Sequence, residues 1–74
     1  MLPKVIICDD DPVLIEILEN IIEESKLVEV ITSSSSGKEV IKKAKSFTPD
    51  AVLLDIDLPD MNGIEIARKI IENN

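Results

Sequence analysis

Carboxylates are the side chains of this sequence placed to do chemistry. Asp9, Asp10 and Asp11 follow directly on the apolar run Lys4 to Cys8, and Asp55 and Asp57 follow the apolar run Ala51 to Leu54. Both runs are short, aliphatic and rich in β-formers, which predicts buried strands rather than helices. Asp55 then sits where its strand leaves the sheet. Open parallel α/β sheets bind ligands just outside the carboxyl ends of their strands. If the two strands are neighbours, those ends lie about 5 Å apart, and Asp9 or Asp10 meets Asp55 in one small site. Like charges about 4 Å apart repel by roughly 4 kcal/mol at an effective dielectric near 20, so such a site calls for a cation or for protonation. A ligand set made only of oxygen favours Mg²⁺, which keeps several waters and accepts phosphate oxygens. The chemistry that fits is phosphoryl transfer: a carboxylate acts as nucleophile and becomes an aspartyl phosphate, while a divalent cation offsets charge on the transferring group. An acyl phosphate is labile in water and suits a transient signal better than a store.

The rest of the composition narrows the choice. The 74 residues include no histidine, which removes histidine catalysis, histidine metal ligation and a phosphohistidine role. The single cysteine, Cys8, allows neither an internal disulfide nor a cysteine zinc site and reads as a small core residue. A net charge of −7 repels nucleic-acid phosphates and anionic membranes, so neither is an expected partner. Hydrophobic residues make up 45% of the chain, above what disorder tolerates, and Phe47 is the sole aromatic, so Ile, Val and Leu must build the core. A chain of this size buries ~60% of its unfolded surface, which leaves a thin margin of stability. No apolar run reaches membrane-spanning length, and Met1 to Lys4 carries no export signal, which predicts a cytoplasmic location.

The positioning elements follow in order. Lys4 to Cys8 is the first strand, and its lack of alternation predicts burial on both faces, as in a parallel sheet. Asp11-Pro12 is a helix start, since the carboxylate accepts from free amides and proline suits the first helical position. That helix should run from Pro12 to about Ser25, with Leu14, Ile17, Leu18, Ile21 and Ile22 as its apolar stripe. A second strand is expected over Leu27 to Thr32, with Glu29 suited to a sheet edge. Ser36 and Glu39 fit a capping box opening a helix from Gly37 to Phe47, with Val40, Ile41, Ala44 and Phe47 inward and Lys42, Lys43 and Lys45 solvated. Pro49 blocks its continuation. After the strand Ala51 to Leu54, Asn62 should cap a last helix over Gly63 to Glu72, with Ile64, Ala67 and Ile71 inward and Ile66 and Ile70 widening the stripe. The order β-α-β-α-β-α implies parallel strands joined by right-handed crossovers.

The run Ile6-Ile7-Cys8-Asp9-Asp10-Asp11-Pro12 resembles the acidic-pocket motif of the response-regulator receiver domain of two-component signalling. The stretch from Pro49 through Asp55 and Asp57 to Gly63 is similar to that family's phosphoacceptor strand and loop, and the separation of the two motifs matches as well. The resemblance implies that Asp55 is the phosphoacceptor, that Asp9, Asp10 and Asp55 hold Mg²⁺, and that Asp57 offers the metal its backbone carbonyl. It implies a histidine kinase or phosphotransfer protein as partner. It also implies a flavodoxin-like, doubly wound parallel sheet with strand order 2-1-3 over residues 1–74.

A receiver has five βα units, and the resemblance covers three. The Ser or Thr that ends the fourth strand and the Lys that ends the fifth have no counterpart in this sequence, so a half-receiver with impaired phosphorylation is expected. Its third strand becomes a bare edge and its first helix loses a companion, which predicts self-association, for instance as a homodimer. An alternative is a non-catalytic, self-associating half-receiver, or a fragment excised at a unit boundary. Another is an aspartate-nucleophile phosphatase, because Asp55-Ile56-Asp57 resembles the Asp-x-Asp of haloacid-dehalogenase-type enzymes. That family places its motif after the first strand, and no further catalytic acid or lysine motif follows here, so the chain is not expected to be an enzyme.

Overall fold

A computed structural model describes residues 1–55 and 58–72. The described residues form β1 (Lys4–Cys8), α1 (Pro12–Ser25), β2 (Glu29–Ser34), α2 (Gly37–Phe47), β3 (Ala51–Leu54) and α3 (Gly63–Glu72). The strands are parallel in the order β2-β1-β3, the flavodoxin-like arrangement expected. β1 is central because Val5 to Cys8 is apolar without interruption, and all four of those side chains are buried.

The expected helix starts form. Asp11 accepts from the amides of Val13 and Leu14 at 3.0 and 3.4 Å, with Pro12 as the first helical residue. Asn62 Oδ1 accepts from the Ile64 amide at 2.8 Å. The capping box at α2 is only half built. Ser36 Oγ accepts from the Glu39 amide, but the Ser36 amide donates to Ser34 Oγ at 3.0 Å, and Glu39 turns outward to pair with Lys43 at 3.0 Å. Lys43 remains partly exposed but is not free on that face, since it also donates to Thr32 Oγ1.

Three expectations need correction. β2 runs two residues later than Leu27 to Thr32. Lys26 takes a left-handed conformation at φ 60° and Ser25 Oγ accepts from the Leu27 amide, so residues 26 and 27 are spent on the turn out of α1. At the other end, Ser33 and Ser34 pair with Ile7 and Cys8, and a register shift between Val5 and Ile6 absorbs the difference. Phe47, expected inward, is half exposed; it closes α2 just before the left-handed Thr48 turns the chain away. On α3, Ile66 is fully buried whereas Ile64 and Ile71 are largely exposed. The Ile66–Ile70 line faces the core because α3 packs across Gly37, where an added Cβ would stand 2.5 Å from Ile66 Cδ1 and 3.1 Å from Met61 Cβ.

The core lies on one side of the sheet, where Ile6 and Cys8 meet Val40, Ala44, Leu58 and Ile66. Burying each large aliphatic side chain contributes about 1.5–3 kcal/mol. The opposite side carries α1, none of whose side chains is fully buried; Leu14, Ile17 and Ile21 stay exposed. No helix among the described residues is long and apolar enough to cross a membrane.

Candidate functional site

The register of the sheet builds the site. Cys8 lies beside Leu54 on one flank and Ser34 on the other. One residue further, the Asp55 amide donates to the Cys8 carbonyl at 2.9 Å and the Asp9 amide donates to the Ser34 carbonyl at 3.1 Å. These bonds hold both aspartates at the carboxyl end of the sheet. Asp9 Oδ1 then accepts from the Asp11 amide at 2.9 Å, which orients its side chain while Asp11 caps α1. Asp10 follows and stays exposed; Asp9 and Asp55 are half buried.

Carboxylate oxygens of Asp9, Asp10 and Asp55 lie within 4.8 Å of one another. Three like charges this close repel unless a cation joins them. The donor set is oxygen alone, partly buried and open on one side, which fits a hard divalent cation that retains water. The fourth expected contributor, the backbone carbonyl of Asp57, falls outside the described residues. Beside the cluster an open groove of about 520 Å³ is lined by Asp9, Asp10, Pro12, the serines from Ser33 to Ser36 and Glu39.

Cys8 packs directly beneath. Burial pushes its thiol up to about 11, and the charges of Asp60, Asp9 and Asp55 add to the shift. It is a neutral core residue and no nucleophile.

Residues 5–74 match the response regulator receiver domain. The chain belongs to this family. Among solved receivers, the response regulator domain of Thermotoga maritima CheB superposes with a TM-score of 0.93 at 29% identity, covering 99% of this chain and 55% of its own. The receiver domain of the putative response regulator NarL from Mycobacterium tuberculosis gives 0.91 at 27% identity, covering 96% of this chain and 57% of its own. The Bacillus subtilis (strain 168) protein-glutamate methylesterase/protein-glutamine glutaminase is 36% identical over 69 residues, which are 93% of this chain and 19% of that enzyme. The Aliivibrio fischeri protein of the same name is 38% identical over 69 residues, 18% of its length. The chain thus spans about a fifth of these curated relatives and little more than half of the receiver structures. Receiver domains in general are phosphoacceptor modules rather than enzymes; they meet histidine kinases or phosphotransfer proteins and bind Mg²⁺ at an acidic cluster.

Sequence reasoning missed Asp60. In the receiver loop between β3 and α3, its Oδ1 accepts from the Gly37 amide at 2.9 Å, and its Oδ2 accepts from the Lys38 amide and from Ser36 Oγ, each at 3.1 Å. An anion at a helix N-terminus is favourable because the first amides are otherwise unsatisfied. Nothing local could have signalled it, since 23 residues separate Asp60 from Gly37.

The amides of Gly37 and Lys38 hold the Asp60 carboxyl below its ordinary value near 3.8. A folded-state value below the unfolded one gives stability that is present above the unfolded pKa and is lost as pH falls through the folded one. Melting temperature measured from pH 6 down to pH 2 should therefore show Asp60→Asn losing less stability than the wild type below about pH 4. Parallel acid profiles would rule the interaction out.

Proposed function

We propose that this chain is a phosphoacceptor of a two-component phosphorelay, with Asp55 as the accepting residue. The observation that carries the reading is the convergence of Asp9, Asp10 and Asp55 at the ends of β1 and β3. An Asp55 carboxylate oxygen attacks phosphorus; the new O–P bond forms as the donor's bond to phosphorus breaks and its electron pair leaves with the donor. From a phosphohistidine the leaving group is imidazole, and from acetyl phosphate it is acetate. Asp9 and Asp10, with Asp55, would hold Mg²⁺, and the family resemblance adds the Asp57 carbonyl. When bound, the ion offsets negative charge on the phosphoryl oxygens and on the attacking carboxylate. Asp9 is oriented for this by the Asp11 amide, and the Cys8 carbonyl fixes the backbone at Asp55. Tested alone, the 74 residues contain no fourth or fifth receiver strand, so uptake should be slower and loss faster than in a five-unit receiver.

Incubation with acetyl phosphate and Mg²⁺, read by intact mass, should add one phosphoryl group. Asp55→Asn or chelation should abolish the addition. An unmodified wild-type mass would contradict the proposal, and continuous release of phosphate without a stoichiometric adduct would favour a phosphatase.

The exposed apolar surface supports a second property of the isolated chain. β3 pairs with β1 alone among the described strands, Leu53 is exposed, and so are Leu14, Ile17 and Ile21 of α1. The accessible surface is 4988 Å², against about 4,500 Å² for a closed monomer of this mass. We infer that a second copy covers part of it. A twofold axis through paired β3 edges would run them antiparallel, and centring it between Val52 and Leu53 sets Asp50 of one copy opposite Asp55 of the other. That like-charge pairing is unfavourable, so the α1 side of the sheet is the better contact. Sedimentation should show a dimer that Ile17→Lys dissociates; a monomer at micromolar concentration would contradict it.

A further inference from the structure

Asp60 occupies a position that capping alone does not account for. α2 already has its own cap in Ser36, whose Oγ accepts from the Glu39 amide. The Asp60 carboxylate adds a second, tertiary attachment to the same turn, accepting from two amides and one hydroxyl. It comes from the loop that begins at Asp55. The turn it grips is continuous with the acidic pocket on the other side. Ser36 donates its hydroxyl to Asp60, the Ser36 amide donates to Ser34 Oγ, and the Ser34 carbonyl accepts from the Asp9 amide. One hydrogen-bonded path thus runs from Asp60, across the start of α2, to the backbone of Asp9.

Packing locks the same junction. Gly37 is buried and has no room for a Cβ against Ile66 and Met61, the residue next to Asp60. Leu58, two residues before Asp60, is a core residue. The segment from Leu58 to Met61 is therefore fastened twice, by apolar side chains below and by a carboxylate at the helix start.

We propose that Asp60 is a positioning residue for phosphorylation at Asp55. By binding the amides of Gly37 and Lys38 it holds the loop after β3 against the start of α2, and so keeps the Asp55 carboxylate in register with Asp9 and Asp10. The inference rests on the reading of Asp55 as phosphoacceptor. It requires an oxygen that faces Gly37, and the loop position is retained in part when that oxygen belongs to an amide.

The test compares wild type, Asp60→Ala and Asp60→Asn at a temperature where circular dichroism shows each folded. The probe is acetyl phosphate with saturating Mg²⁺, and the readout is the initial rate of the mass increase at Asp55. Asp60→Ala should slow the rate about tenfold, within the range that a small misplacement of reacting groups costs. Asp60→Asn, which keeps an acceptor for the Gly37 amide, should recover to within about threefold of wild type. A purely structural role would lower thermal stability in both variants and leave the folded-state rates equal; that result overturns the proposal. Amide hydrogen exchange at Asp55 supplies an arm independent of phosphorylation. Its bond to the Cys8 carbonyl should exchange faster in Asp60→Ala than in wild type while the Ile6 amide is unchanged, and equal exchange at Asp55 also overturns the proposal. A wild type that takes up no phosphoryl group defeats the phosphoacceptor reading instead, and the exchange arm still decides whether Asp60 orders the loop.

Discussion

Pairing of β1 with β3 forces three negative charges into one place. The register that sets Cys8 beside Leu54 leaves Asp9 and Asp55 on adjacent strand ends, and Asp10 completes the cluster. Such an arrangement works against folding, because unfolded chain would let the carboxylates separate. Its persistence depends on the apolar pairing beneath: Val5 to Cys8 are buried, and Ile6 and Cys8 are clamped by Val40, Leu58 and Ile66. The aliphatic centre of the fold is what holds the three carboxylates together, and a cation would offset their repulsion.

The same economy explains the loops around the site. Each chain segment leaving the sheet ends in a residue that satisfies a helix start. Asp11 does so for α1, Ser36 for α2 and Asn62 for α3. Asp60 departs from this local pattern because it serves a helix from elsewhere in the chain, tying the segment before α3 to the β2–α2 junction. The side carrying α1 is less finished. Its apolar residues rest on the sheet without enclosure, so this face contributes less to stability than the α2–α3 side.

Much of the fold was legible because its signals are local. Aliphatic runs ended by aspartates mark β1 and β3, and Asp11-Pro12, Ser36, Pro49 and Asn62 mark the limits of the helices, which lie where expected. The three acidic residues were legible as neighbours because alternating strands and helices leave few topologies. β2 was misplaced because Ser33 and Ser34, poor strand formers, are recruited by pairing with Ile7 and Cys8. The facing of α3 was misread because its apolar stripe is wide, and only contact with Gly37 selects the Ile66–Ile70 line. Asp60 was invisible for a related reason, since its partners are set by tertiary packing rather than spacing.

If Asp9, Asp10 and Asp55 act together as a cation site, as proposed, Mg²⁺ should offset the repulsion among their carboxylates, whose oxygens lie within 4.8 Å of one another. Melting temperature with and without millimolar Mg²⁺, for wild type and Asp10→Asn, tests it most directly. Asp10→Asn should melt higher than wild type in metal-free buffer, because one like charge is gone. Mg²⁺ should raise the wild type by several degrees and the variant by much less. A wild type indifferent to Mg²⁺, or a variant that melts no higher without it, would contradict the account.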